Sequence, residues 1–460
     1  MKEVRWLIPL LLGAILLAGA FLILRKKPVP DKVTPVIPRQ TKTELQTPPP
    51  EEIVEESAPE KTALPPKVEK KRPVEEEIFD RLLAAIQSWD KDRIRKVLDE
   101  LLAIITPEPI PDDQNAAILY MEAFDKLSVL SDGEEAAIFS FNTGESLSEE
   151  QKELLRRYLE KNRTVIEMIE EGDQRPGCNF KVEWSDGYFT QLPHISRMIN
   201  LQGLVLLRSK LGEGEDALRS AEIAARFGDS LASEPIIVSQ LIQNTLITKS
   251  HNFLQENWNP EEYGPAFTNS LQSRDFGKGM QRAILGELYS SAMLFIKKTD
   301  EDLGIPDPSQ NPNWALDLEI LTKLYQEIYH LSPRPYHEIR EELSEIETRI
   351  EIAPQFAEIT QEVTPSVARI FQHRAKAQAT TGTQRIAIAL AEYRTAEGNY
   401  PPSLAGLKSI SPGLLEDPFT GQSYQYRREG NGFVLYSVGE DGLDNGGNSS
   451  EKDIIFRVGN

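Results

Sequence analysis

Three kinds of hydrophobic pattern follow one another along the chain. The first is a continuous run. Trp6 to Leu24 holds 19 residues without a charge, close to the ~20 that a helix needs to span the hydrocarbon core of a bilayer. Pro9 falls in the first turn of that run, where a proline costs least. The second pattern is helical. Ile78, Leu82, Leu83, Ile86 and Trp89 recur at the spacing of one face of an amphipathic helix. Ile94, Val97, Leu98 and Leu101 repeat the stripe after Asp90-Lys-Asp92, which reads as a break and a cap. The same period predicts helices over 115–130, 148–171, 195–211, 215–227, 235–255, 276–298, 314–331 and 336–352. A last long helix is expected from 365 to about 397, weakened or broken midway at Thr380-Thr-Gly-Thr383 and stopped by Gly398 and Pro401-Pro402. The third pattern is that of strands. The aromatic and branched runs 423–427, 432–437 and 453–458 read as an antiparallel sheet, with 428–431 as a hairpin turn and Asp417-Pro-Phe-Thr-Gly421 as a turn before it.

Between the apolar run and the first helix lies a different composition. Residues 28–73 hold eleven of the chain's 31 prolines, among runs of alternating Glu and Lys. Such a segment buries too little apolar surface to fold and tends to extended conformations. It would make a spacer of roughly 100 Å or more. The expected organisation is therefore a transmembrane signal anchor at 1–27, a disordered linker at 28–73, an all-helical domain at 74–363 and a small α+β module at 364–460. The fold class is mainly α. Connections in the helical part are short, so neighbouring helices should pack as antiparallel hairpins. No fixed repeat period is present, so the body reads as an irregular hairpin array.

Charge and cysteine content narrow the function. A net charge of −21 argues against nucleic acid as a partner, because phosphate binding needs clustered Lys and Arg. The single cysteine, Cys178, excludes an internal disulfide and a cysteine-based zinc site. Lys2 and Arg5 precede the apolar run and Arg25, Lys26 and Lys27 follow it, so the positive-inside rule does not orient it.

Two stretches carry candidate chemistry. The loop 178–194 interrupts the helices with Phe180, Trp184, Tyr188 and Phe189, together with Cys178, Asp186 and His194. Either it forms a binding or catalytic loop around Cys178 and His194, or its aromatics pack it onto the helices with His194 hydrogen-bonded near a helix start. The second stretch lies between the last two strands and offers Asp441, Asp444, Asn445, Asn448, Ser449, Glu451 and Asp453 among glycines. Calcium takes six to eight oxygens, backbone carbonyls included. An EF-hand register from Asp441 fails at Leu443 and Lys452. A plain Asn-Gly-Gly hairpin loop is the other reading.

Two resemblances add to this. Leu192-Pro-His194, Leu204 to Arg208, Gly212-Glu-Gly214 and 234–241 resemble uncharacterised helical proteins of planctomycete type, which carry no known activity. Gly398-Asn-Tyr-Pro401, Asp417-Pro-Phe419, Tyr424-Gln-Tyr426 and Tyr436 to Gly442, followed by Gly446-Gly447 and Asp453-Ile454, resemble the globular end of the major pseudopilin of type II secretion systems. That resemblance implies a structural calcium ion in the last loop. Its ligands would be Asp441 and Asp453, supported by Ser437 and the backbone near Val438, with Asp444 and Asn445 as further candidates. The chain departs from the pseudopilin pattern in lacking the processing motif and in placing about 340 residues between the apolar run and the module. It is not expected to polymerise as a pilin.

Low-affinity calcium modules suit compartments outside the cytoplasm, which orients the amino terminus inside. The expectation is a single-pass protein of the inner membrane with its bulk extracytoplasmic. It would act as an interaction or scaffold protein near type II secretion-like machinery, bound to the membrane and to unidentified protein partners, without enzymatic activity. The rival is an enzyme with a site near Cys178 and His194.

Overall fold

The computed structural model describes residues 73–257, 274–300 and 313–459, without 355, 358–359, 362–363, 365, 408–411 and 449–451. The apolar run 6–24 and the linker up to residue 72 lie outside the described residues. No helix among the described residues is long and apolar enough to cross a membrane. The described chain is mainly helical, with a small three-stranded antiparallel sheet at its carboxyl end.

The first hairpin is α1 (Val74–Gln87) and α2 (Lys91–Ile105). Asp90 caps α2 as its position suggested, accepting the Arg93 N–H at 3.0 Å. The amphipathic stripes of both helices are buried, from Ile78 to Ile105. Next come α3 (Ala116–Asp125), α4 (Asp132–Thr143), α5 (Glu149–Lys161) and α6 (Arg163–Asp173). Helix α4 lacks a clear apolar stripe but starts with a capping box between Ser131 and Glu134. The single helix expected over 148–171 is two. Asn162 is fully buried and leaves helical geometry at φ −104° and ψ 18°. Its side-chain amide donates to the Tyr158 carbonyl and accepts the Ser128 N–H at 2.9 Å. A side chain competing for backbone partners in this way ends the helix.

Helices α7 (Pro193–Leu211), α8 (Gly214–Arg226) and α9 (Ile237–Glu256) follow, and a 3-10 turn, Phe227–Leu231, precedes α9. Then come α10 (Phe276–Asp300), α11 (Asn313–Leu331), α12 (Tyr336–Glu351) and α13 (Val367–Glu397). Strands β1 (Gln425–Glu429), β2 (Gly432–Ser437) and β3 (Ile454–Val458) pair antiparallel in that order.

Two hydrophobic cores result. One joins α3 to α8 with the middle of α9. The other joins α1, α2, the start of α9, α10 to α13 and the sheet. The packing is therefore not a plain array of sequence neighbours. The first hairpin passes over 116–256, so that α1 packs on α11 and α2 on α10. The larger core also runs across the boundary expected at 363/364, because α13 packs against α9, α12 and the strands.

Helix α13 is continuous through Thr380-Thr-Gly-Thr383, where weakening was expected. All four residues are buried, and a Cβ on Gly382 would lie 2.2 Å from the Tyr424 hydroxyl. The glycine is the gap into which the Tyr424 ring fits, so packing outweighs its low helix propensity of about 1 kcal/mol. Arg374 is 2% exposed and anchors the other half of α13. Its guanidinium lies over the Phe371 ring and donates to the carbonyls of Ser332 and Arg334, just after α11. A cation at carbonyls left open by a helix end is favourable, although burial pushes this guanidinium down to about 10.

His251 of α9 is 1% exposed, and neither ring nitrogen is hydrogen-bonded. The ring meets Phe456 of β3 edge to face, with centroids 5.7 Å apart. Burial pushes its imidazole from 6.5 down to about 4. The unfolded chain therefore takes up this proton before the folded chain does. The contribution of neutral His251 is complete above pH 6.5 and is lost as pH falls toward 4. Between pH 7.5 and 5, the wild type should lose about 2 kcal/mol more than His251→Phe, read from urea midpoints. Equal losses would remove His251 as the cause.

Candidate cation-binding loop at the sheet

Strand β2 reads Gly-Phe-Val-Leu-Tyr-Ser, apolar without alternation, and every residue in it is buried. A central strand with this pattern must be covered on both faces. Phe433 and Leu435 belong to the larger core, where Phe433 stacks near Phe456 and meets Tyr400 at 4.9 Å. Val434 and Tyr436 face the other way along the pleat. They are covered by the glycine loop between β2 and β3. A Cβ on Gly447 would sit 2.7 Å from the Tyr436 ring and 3.0 Å from Val434, and Gly447 adopts φ +64°. The loop thus serves first as the outer layer of the sheet.

Polar contacts hold it there. Arg427 of β1 donates to the Gly446 carbonyl and Arg457 of β3 to the Gly447 carbonyl, both at 2.9 Å. Glu429 bridges the two guanidinium groups. The Gly446 and Gly447 carbonyls thus already have donors.

The candidate ligands divide into three groups. Asp441 accepts the Leu443 N–H at 3.0 Å and the Asn445 amide at 3.1 Å, and the Lys452 amine stands 4.0 Å away. Asp444 accepts the Tyr436 hydroxyl and the Gly446 N–H, both at 2.8 Å. These two carboxylates and Asn445 fold the loop on itself. Ser437 and Val438 face a different carboxylate. The Ser437 hydroxyl donates to Asp417 at 2.9 Å and the Val438 N–H donates to its second oxygen at 2.9 Å.

Asp453 forms the third group. It is 1% exposed, and its Oδ2 accepts the Gly447 N–H at 2.9 Å. Its Oδ1 is buried with no partner. A buried carboxylate oxygen without a donor is costly, and a cation is one way to satisfy it. Among the described residues no three His, Cys, Asp or Glu side chains converge as a metal cluster. Ser449, Ser450 and Glu451, which precede Lys452, lie outside the described residues.

Asp417 was legible only as a turn residue. It is 2% exposed and also accepts the Phe419 N–H at 2.9 Å. Burial pushes its carboxyl up, and the N–H groups of Phe419 and Val438 oppose that. It ties the 417–421 turn to the end of β2. The turn in turn rests on α12, where the His337 N–H donates to the Pro418 carbonyl and Tyr336 meets Phe419 edge to face.

The loop around Cys178 packs in part onto the helices. His194 lies in the first turn of α7, 1% exposed, with Nε2 2.7 Å from Glu234 Oε1 and its ring stacked on Phe180 at 4.3 Å. The Ser239 hydroxyl donates to the second Glu234 oxygen. Burial pushes the Cys178 thiol up to about 12, so it stays protonated at neutral pH. Trp184 is buried, whereas Tyr188 and Phe189 are each more than half exposed.

Asp417→Ala should destabilise the protein by about 2–4 kcal/mol, because it strands two N–H donors and a hydroxyl in a dry site. Denaturant midpoints check this; a change under 0.5 kcal/mol would deny Asp417 the role given to it. No protein-family model, curated protein or solved structure matches the chain.

Proposed function

We propose that the chain is a membrane-anchored, extracytoplasmic interaction protein whose carboxyl-terminal module is held closed by a calcium ion. The observation that carries the calcium reading is the buried, unpaired Oδ1 of Asp453 in a glycine-rich, oxygen-rich loop. Asp453 would hold the ion together with Asp441, the other carboxylate that the pseudopilin resemblance marks. Asp444 and Asn445 support that loop from within, while Ser437 and Val438 tie the end of β2 to Asp417. The ion would supply positive charge to carboxylates that now turn to backbone donors. It would fasten the outer layer of the sheet, so its role is structural.

The rest of the proposal is carried by the sequence. The uncharged run from Trp6 to Leu24 is the anchor, the proline-rich segment is the spacer, and the helical body offers the surface for an unidentified protein partner. A place beside type II secretion-like machinery rests on the pseudopilin resemblance of the module. The acidic chain is not read as a nucleic-acid binder.

Calcium should raise the melting midpoint of the full-length chain. At a hundredfold excess over Kd the stabilisation is about 2.7 kcal/mol. Asp453→Asn should abolish the rise and Asp441→Ala should weaken it. Identical melts in calcium and in chelator would sink the calcium reading. The anchor predicts that the full-length protein stays with membranes through alkaline carbonate washing; release into the supernatant would refute it.

A further inference from the structure

A cavity of about 280 Å³ opens between the 3-10 turn Phe227–Leu231, the first half of α9 and the start of α10. That is near the lower end of the ~300–1,000 Å³ range of small-molecule sites. Its lining sets several polar side chains into a surface that is mostly apolar. Gln240 and Gln243 of α9 line it, at 4% and 5% exposure. Gln240 donates to the Glu234 carbonyl at 3.3 Å. The side-chain amide of Gln243 has no hydrogen-bond partner among the described residues. Its amide atoms face the cavity, where solvent reaches them, so a ligand can take the place of water there.

The surroundings fit that need. A Cβ on Gly279 would come 2.7 Å from Gln240 Oε1, so the glycine leaves room for the carboxamide at the wall. Arg274 donates through two nitrogens to Asp229 and also to the Ala225 carbonyl. This fixes the guanidinium and the carboxylate as a planar, neutral pair. Asp275 adds a further carboxylate and Phe276 an aromatic ring. The Lys278 amine stands 3.7 Å from Asp275, and Arg385 of α13 lies close enough to Arg274 for the two to repel.

We propose that this cavity binds a small neutral polyhydroxylated ligand, a free sugar in chemical class. Carboxamides, carboxylates and a paired guanidinium present the flat, two-pronged donors and acceptors that match vicinal hydroxyls. Phe276 offers an apolar surface for the C–H face of the ring. The ionic groups on the wall largely cancel, which disfavours a strongly charged ligand. The site is independent of the calcium loop and does not rest on it.

The test uses the full-length chain and saturation-transfer NMR with D-glucose, N-acetyl-D-glucosamine and their β1,4-linked disaccharides, and with inorganic phosphate and citrate as anionic controls. At least one sugar should bind and the anions should not. Gln243→Leu should weaken that binding by at least ~10-fold with an unchanged melt. Gly279→Ala, which crowds Gln240, provides a second variant and should weaken it too. Failure of every sugar to bind, binding of phosphate or citrate in their place, or sugar affinity unchanged in both variants would overturn the proposal.

Discussion

Helices α9 and α13 pack together, and each is buried around nearly its whole circumference. From Ala379 to Ala391 only Arg385 keeps any appreciable exposure. Helices in such a position are normally apolar all round. These are not. Ser239, Gln240, Gln243, Asn244, Ser250 and His251 are buried on α9, and Arg374, Thr380, Thr381, Thr383 and Gln384 on α13. Several are satisfied inside the packing. Ser250 donates to the Ala224 carbonyl, and Gln202 of α7 reaches Ser250 and the Leu246 carbonyl. Others are left without a partner, among them Thr380, Thr381 and Gln384. The helix pair links both cores to the sheet, so the fold rests on a joint that is sterically tight and only partly satisfied in its polar groups. Unpaired buried polar groups subtract stability, and fluctuation is expected to be greatest where they collect.

The sheet depends on that joint from one side and on the glycine loop from the other. Phe433, Leu435 and Phe456 feed the core that α13 organises. Val434 and Tyr436 need the loop as cover, and the loop leaves one buried oxygen, Asp453 Oδ1, unmet. The loop's candidate chemistry and its structural duty are therefore the same thing. A cation there would act on the sheet, and through the sheet on α13.

Much of the architecture was legible in the sequence, because apolar spacing, caps and breakers act locally. The stripe from Ile78, the Asp90 cap and the stop at Gly398 all translate directly into helix positions. What was not legible depends on distant partners. The break at Asn162 needs Ser128. The continuity through Gly382 needs Tyr424, 42 positions on. The pairing of His194 with Glu234 has no local signal. In the candidate site, Asp441, Asp444 and Asp453 were readable as residue types. The division of labour among them was not, because it follows from which N–H groups the folded loop presents. Asp417, read only as a turn residue, is the carboxylate that Ser437 and Val438 face.

The central claim is that a cation meeting Asp453 fastens the loop over β2 and so tightens the joint beneath it. Native-state hydrogen exchange on the full-length chain, with calcium and with chelator, tests this most directly. The account predicts slower exchange in calcium at the amides of β2, β3 and the loop, Gly447 above all, with a smaller gain along α13. Exchange in 436–458 that is the same with and without calcium would contradict it.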